Sequence, residues 1–208
     1  MSCRMTPRIG ADAILRHNLY KSGLLQGDMK FCSQCGQSVS LEIPNGDNRR
    51  RYICKHCGKI HYENPRIVAG CVPVHEGRIL LCKRAIEPRY GYWTVPAGFM
   101  ELDENLPEAA ARETWEEAQA IVELGPLFAV VDVKRARQVH IFFDAIMAEP
   151  IFGAGDETLE TRLFHPEEIP WQDIAFESVR IALEEHLNNR KLENPGVGLF
   201  TAPRTGVA

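Results

Sequence analysis

Long apolar runs are missing from this 208-residue chain, and so is any surplus of positive charge. No stretch approaches the roughly 20 apolar residues of a membrane-spanning helix, and the N-terminus has no apolar core of the kind that directs secretion. Its basic and hydroxyl residues, Arg4, Thr6, Arg8 and Arg16, are too sparse for an organelle-targeting peptide. A cytoplasmic protein with no membrane partner is expected. The net charge of −4 argues against nucleic acid as the main partner, because phosphate backbones are bound by basic surfaces. No internal repeat is visible, which sets aside repeat architectures. What remains is an ordinary globular composition, 45% hydrophobic and 25% charged, with room for one good core and a small accessory module.

Four of the seven cysteines form two pairs, Cys32-x-x-Cys35 and Cys54-x-x-Cys57. Their separation falls in the range of zinc ribbons, in which four thiolates close a tetrahedral structural site. Gly36 and Gly58 follow the two pairs directly. Ser38–Ile43 and Arg50–Ile53 read as strands, joined through the turn signal Asn45-Gly46. Two disulfides are the alternative, disfavoured without a secretory signal. His56 and His61 stand nearby, but four cysteines already fill a site. A closed site leaves no open position for catalysis, so the ribbon is read as structural. Cys71 and Cys82 fall in apolar strand patterns and read as core.

The chain is organised around Gly98–Ala120, GFMELDENLPEAAARETWEEAQA. Asn105 is a good N-cap, Pro107 sits in the first turn, and Glu108 completes a capping box. At about 100° per residue, Glu113, Glu116 and Glu117 share one arc. Ala111, Thr114, Trp115 and Ala118 form the face expected to pack on a sheet. Arg112 can pair by helical spacing with Glu108 and Glu116. One arginine does not neutralise three crowded carboxylates; a hard divalent cation, which prefers oxygen ligands, would. A solvated acidic face is the plain alternative.

Further along, Ile67–Val74 and Arg78–Lys83 read as strands, then Ile121–Val133 and Gln138–Met147, flanking the basic loop Lys134–Arg137. Leu159–His165 is another strand, and Phe176–Asn189 an amphipathic helix. The expected domains are a mobile leader (1–28), a zinc ribbon (29–63), a catalytic α/β domain (64–190) and a disordered tail (191–208).

The string G-x5-E-x7-R-E-x2-E-E, with Gly98, Glu104, Arg112, Glu113, Glu116 and Glu117 in the fixed places, resembles the Nudix box. Six fixed positions match by chance on the order of once in a hundred thousand chains of this length. Two positions depart from the pattern: Thr114 replaces an apolar residue, and Gln119 replaces a glycine that would close the helix in a left-handed conformation. The segments FCSQCG and ICKHCGKIHYENP resemble the Nudix branch with an N-terminal zinc ribbon, which includes NADH pyrophosphatases and FAD pyrophosphatases. GYWTVPAGFMELDE is similar to the FAD group. The SQPWPFPxS signature of NADH pyrophosphatases is absent, and Pro126 comes too early for the usual ADP-ribose pattern.

The resemblance implies an α+β sandwich, a mixed sheet between helices. It implies hydrolysis of a nucleoside diphosphate linked to another group, with Mg²⁺ or Mn²⁺ at the pyrophosphate. Glu113, Glu116 and Glu117 match the metal-binding carboxylates, and the Gly98 carbonyl can add a ligand. Arg112 would hold Glu113, and Glu104 would brace the loop before the helix. A later glutamate, Glu157 or Glu160, would be base or extra ligand, with no choice between them. Arg135 and Arg137, with Lys134, are candidates for a distal phosphate, a solvated turn being the alternative. Phe99, Tyr90 and Trp93 are candidates to stack a base, core packing being the alternative for each. A small-molecule nucleotide substrate, a structural Zn²⁺ and a homodimer are expected. Two other classes compete: a Nudix-like sensor without turnover, and an RNA-processing protein such as a decapping enzyme.

Overall fold

The computed structural model describes residues 29–193 and 196–203; the expected leader (1–28) lies outside them. Contacts separate Leu25–Pro65 from the chain that begins at Arg66. The small unit holds an antiparallel sheet of β1 (Val39–Glu42), β2 (Arg51–Cys54) and β3 (Ile60–His61), in that order. Pro44–Asp47 turns the chain between β1 and β2, the Asp47 N–H reaching the Pro44 carbonyl at 3.1 Å. Each cysteine pair sits on a tight turn closed by Gly36 N–H to the Cys32 carbonyl (2.9 Å) and Gly58 N–H to the Cys54 carbonyl (2.8 Å).

The large unit is built on β4 (Arg66–His75), which runs antiparallel to β5 (Arg78–Arg84) and β7 (Ala97–Phe99) and parallel to β9 (Gln138–Ile146). With β6 (Trp93–Thr94) on β5, β8 (Glu123–Val133) on β9 and β10 (Thr158–Phe164) on β5, the sheet is mixed. Helix α1 (Leu106–Ala118) covers one face and α2 (Glu177–Asn189) the other. Alternation along the strands assigns the sides. Ala69, Cys71, Ile141, Phe143 and Ala145 meet Ala109 and Ala110 of α1, whereas Val72, Val131 and Phe142 meet Val179, Ala182 and Leu183 of α2. Each large apolar side chain buried this way contributes about 1.5–3 kcal/mol. The α+β sandwich that the box implied is the fold observed.

Two expectations are corrected, and one open choice is resolved. The buried face of α1 is Ala109, Ala110, Thr114 and Ala118, and Trp115 is 54% exposed. Small side chains let the helix approach the sheet, and Trp115, about 100° round from Thr114, falls outside that contact. Of the two readings of Trp93, core packing is the one found: it is buried edge-on against Phe164 at 4.9 Å. Within the stretch 191–208 expected to be disordered, β11 (Gly198–Thr201) pairs parallel with Ala129–Asp132 of β8, and Phe200 packs against the α2-side core. Four residues are too few for periodicity to register, and it is the open edge of β8 that orders them.

Candidate active site

Capping fixes where α1 begins. Asn105 accepts from the Glu108 N–H at 3.0 Å while Glu108 accepts from the Asn105 N–H at 2.8 Å, a complete capping box. Arg112 is the hub of the first turns. Its Nε and Nη2 hold Glu104 at 2.9 and 2.6 Å, its Nη1 holds Glu113 at 2.8 Å and Glu116 at 3.1 Å, and Nη2 also reaches the Phe99 carbonyl at 3.0 Å. The expected pairing of Arg112 with Glu108 does not form, because the capping box occupies that carboxylate. Glu104 also accepts from the Glu101 N–H at 2.7 Å, and Arg112 holds its pKa down at about 2.

The next carboxylates are pushed the other way. Burial raises the pKa of Glu113 despite its bond to Arg112. Burial raises Glu117 to about 8, with the neighbouring charges of Glu113 and Glu157 adding to it and the Ala97 N–H, 3.1 Å from Oε2, opposing it. Gly98 is what allows this closeness: a Cβ there would fall 2.2 Å from the Glu113 carboxyl carbon. Thr114, off the box pattern, is satisfied in place. It donates to the Ala110 carbonyl at 2.7 Å and lies 3.0 Å from the Cys71 thiol, which burial keeps protonated. Gln119 takes the left-handed conformation (φ 49°) that the missing glycine would have taken, with its N–H on the Trp115 carbonyl.

A loop from far along the chain closes the helix end. Gly153 N–H caps the Ala118 carbonyl at 2.8 Å and Gly155 N–H the Glu117 carbonyl at 3.1 Å. These are carbonyls that a helix C-terminus leaves without partners. A Cβ on Gly155 would sit 1.7 Å from the Glu116 carbonyl oxygen, so only glycine passes here. The chain then delivers Glu157, whose carbonyl accepts from the Ala85 N–H at 2.8 Å.

Glu113, Glu116, Glu117 and Glu157 line one cavity of about 830 Å³. Glu160 does not line it; it pairs with Lys83 at 3.8 Å on β10 and β5. Phe99, Gly98, Arg112 and Tyr90 are on the cavity wall, whereas Arg135 and Arg137 lie at the exposed turn between β8 and β9 and do not line it. Of the two readings of these arginines, a distal phosphate site or a solvated turn, their exposure at the turn fits the second. Sequence reasoning missed Arg84, Gln138 and His140. Arg84 lies among Glu117, Glu157 and Glu87, whose charges oppose the burial that lowers its pKa, and it stacks 4.9 Å over Phe176. Polar residues at alternate positions of an otherwise apolar β9 were the available signal for Gln138 and His140.

Two places suit metal ions, by different chemistry. Carboxylates crowded on one cavity wall, two of them with pKa values raised by burial, offer hard oxygen donors, which fits a divalent ion such as Mg²⁺ or Mn²⁺. In the small unit, the Sγ atoms of Cys32, Cys35, Cys54 and Cys57 all lie within 4.8 Å of one another, with Cys32–Cys57 at 3.7 Å and Cys35–Cys54 at 3.5 Å. A tetrahedron with Zn–S bonds near 2.3 Å has sulfurs about 3.8 Å apart. The Cys57 N–H helps draw the Cys54 thiol down to about 7. The Cys35 thiol, despite the Gln37 N–H, is pushed up to about 12 by burial and the other sulfurs. Such a set calls for a cation.

Comparison with known proteins agrees with this geometry. Residues 30–63 match the Nudix N-terminal zinc-ribbon model and residues 64–183 the NUDIX domain model. The chain is 38% identical over 89 residues to the NAD-capped RNA hydrolase NudC of Chromobacterium violaceum, covering 42% of this chain and 31% of the relative. It is 45% identical over 53 residues to the phosphatase NudJ of Escherichia coli, covering 26% and 34%. These matches span about a third of each relative's length. A crystal structure of a NUDIX hydrolase from Nitrosomonas europaea superposes with a TM-score of 0.80 at 49% identity, covering 83% of this chain and 98% of that one.

Proposed function

Because the chain belongs to the Nudix family of pyrophosphohydrolases, we propose that it hydrolyses the pyrophosphate bond of an ADP-containing dinucleotide, FAD foremost, with NADH or ADP-ribose as related substrates. The observation that carries this reading is the cavity itself. It is lined by Glu113, Glu116, Glu117, Glu157 and Arg84 and also by Phe99, Tyr90, Gln138 and His140, within a volume suited to a ligand of that size. The likeness of GYWTVPAGFMELDE to FAD pyrophosphatases, and the absence of the NADH signature, favour FAD.

Glu113, Glu116 and Glu117, with Gly98, would hold Mg²⁺ or Mn²⁺, which supplies charge neutralisation at a diphosphate and a more acidic water. Arg112 presets Glu113 and Glu116, and the Ala97 N–H presets Glu117. Glu157, on the wall and close enough for its charge to act on Glu117, is the candidate to take a proton; Arg84 is the cation placed to meet a phosphate oxygen. Purified protein with Mg²⁺ or Mn²⁺ should convert FAD to AMP and FMN, separable by chromatography. A far higher kcat/KM for dATP or 8-oxo-dGTP than for every dinucleotide would overturn the assignment.

One observation favours a second reading, a dinucleotide carried at the end of an RNA. Residues 29–63 hold six Lys and Arg against three Asp and Glu, Arg51 stacks 5.0 Å from the Tyr62 ring, and Phe31 is 65% exposed. Basic residues beside exposed aromatics suit single-stranded nucleic acid. The same assay run on NAD-capped RNA beside free NAD⁺ separates the two: preference for the free dinucleotide removes this reading.

A further inference from the structure

We propose that Gln138 and His140, with Phe99 beside them, form the part of the cavity that reads the neutral heterocyclic ring of the substrate. The proposal rests on the hydrolase reading and assigns the neutral lining residues that the acidic ones leave without a role.

Register places these side chains together. Val68 of β4 is paired with Phe99 of β7 on one side and with His140 of β9 on the other. Phe99, Val68 and His140 thus form one cross-strand row, and all three line the cavity. Three strands span about 10 Å, wide enough to floor a fused ring system. Gln138, two residues before His140 and so on the same face of β9, extends that floor by one row and is also on the wall. Arg66, paired with Gln138 in register, stacks its guanidinium 4.4 Å from the Phe99 ring centroid and steadies that ring.

The hydrogen-bonding character of the pair follows from one contact. Gln138 Oε1 and His140 Nε2 are 2.8 Å apart. A carbonyl oxygen only accepts, so Nε2 carries the hydrogen. Burial pushes the His140 pKa down to about 4, so the ring is neutral at neutral pH and Nδ1 keeps its lone pair. Among the described residues no hydrogen-bond partner meets His140 Nδ1 or the Gln138 amide nitrogen. The pair therefore offers two N–H donors and one acceptor, and neither side chain is charged. Phosphate is a poor ligand for such a surface, and the polar edge of a nucleobase or flavin, with adjacent donors and acceptors, is a good one. The charged side chains of the cavity serve the diphosphate, and this neutral pair serves the ring.

The test measures binding of AMP, FMN and ribose 5-phosphate to the full chain in Mg²⁺, by calorimetry. None of the three has a pyrophosphate bond, so binding is read without turnover, and an inactive protein would still give a decisive answer. Wild type should bind AMP or FMN more tightly than ribose 5-phosphate. Gln138→Ala should weaken the ring-bearing ligand about tenfold, the worth of one or two hydrogen bonds, and leave ribose 5-phosphate unchanged. His140→Phe, which keeps a ring in the sheet, should do the same, so that each variant stands in for the other should one fail to fold. Whichever of AMP and FMN loses affinity identifies the ring held here. Equal binding of all three ligands by wild type, unchanged AMP and FMN binding in both variants, or equal loss of ribose 5-phosphate would each overturn the proposal.

Discussion

Without a bound metal, burial raises the pKa of the Glu117 carboxyl from 4.5 to about 8. The sign of the consequence is fixed by that shift. A carboxyl raised on folding stabilises fully below about 4.5, and that contribution, up to a few kcal/mol, is lost as the pH rises through about 8. Freed of Mg²⁺, the wild type should therefore lose thermal stability between pH 5 and 9, and Glu117→Gln should be flatter over the same range. Thermal midpoints of both across pH check it, and parallel curves would refute it. With saturating Mg²⁺, Glu117→Gln should lower kcat on the order of 10²–10³, as removal of other preorganised charge-stabilising groups does. Glu108→Gln retains a capping-box side chain and should change the rate far less. Unchanged kcat in Glu117→Gln would reduce the acidic face to a surface feature. Two residues on, Gln119 bears the steric cost of a left-handed conformation. Gln119→Gly should raise stability by about 1 kcal/mol, read from denaturant midpoints, with activity intact.

Helix α1 was legible in outline because its instructions are local: Asn105 to Glu108 caps it, and helical spacing brings the glutamates to one side. Its partner loop was not. The choice between Glu157 and Glu160 was hidden because Glu157 precedes β10, and the loop that leads to it is seated by Gly153 and Gly155 on the distant end of α1. Gln138 and His140 were equally hidden, since only the pairing of β9 with β4 reveals that their face borders a cavity instead of solvent. Trp115 was misassigned because an apolar residue near an apolar face was read as part of it. The loop itself yields a test. Gly155→Ala would drive a methyl group into the Glu116 carbonyl, a backbone atom that cannot move aside cheaply. Overpacking of this kind costs about 1–3 kcal/mol. The loop should lift from the helix end and carry Glu157 out of the cavity, so kcat should fall more than tenfold in line with a general acid–base group. A variant with normal stability and rate would show that the loop's seat on α1 does not position Glu157.

For the molecule as a whole, two kinds of stabilisation operate in separate units. From Arg66 onward a mixed sheet and two helices bury a continuous set of apolar side chains. Leu25–Pro65 has three short strands, and its buried apolar side chains include Cys32 and Cys54 themselves. A segment so small cannot bury enough apolar surface to hold itself, and a closed zinc site supplies folding free energy directly. Each chain should therefore contain one tightly held zinc. Cys54→Ser removes one of four thiolates and should bring zinc content close to zero, with residues 29–63 becoming rapidly exchanging in amide hydrogen exchange. Helix α1 should keep its protection, because its capping box, the Arg112 bonds and the Gly153 and Gly155 contacts all lie in the other unit. Elemental analysis and exchange on the same sample decide the matter. Wild-type protein prepared without chelators that contains no zinc, and whose four thiols titrate freely in the native state, would remove the ribbon's metal from the account. Loss of α1 protection in Cys54→Ser would show that the two units do not fold independently.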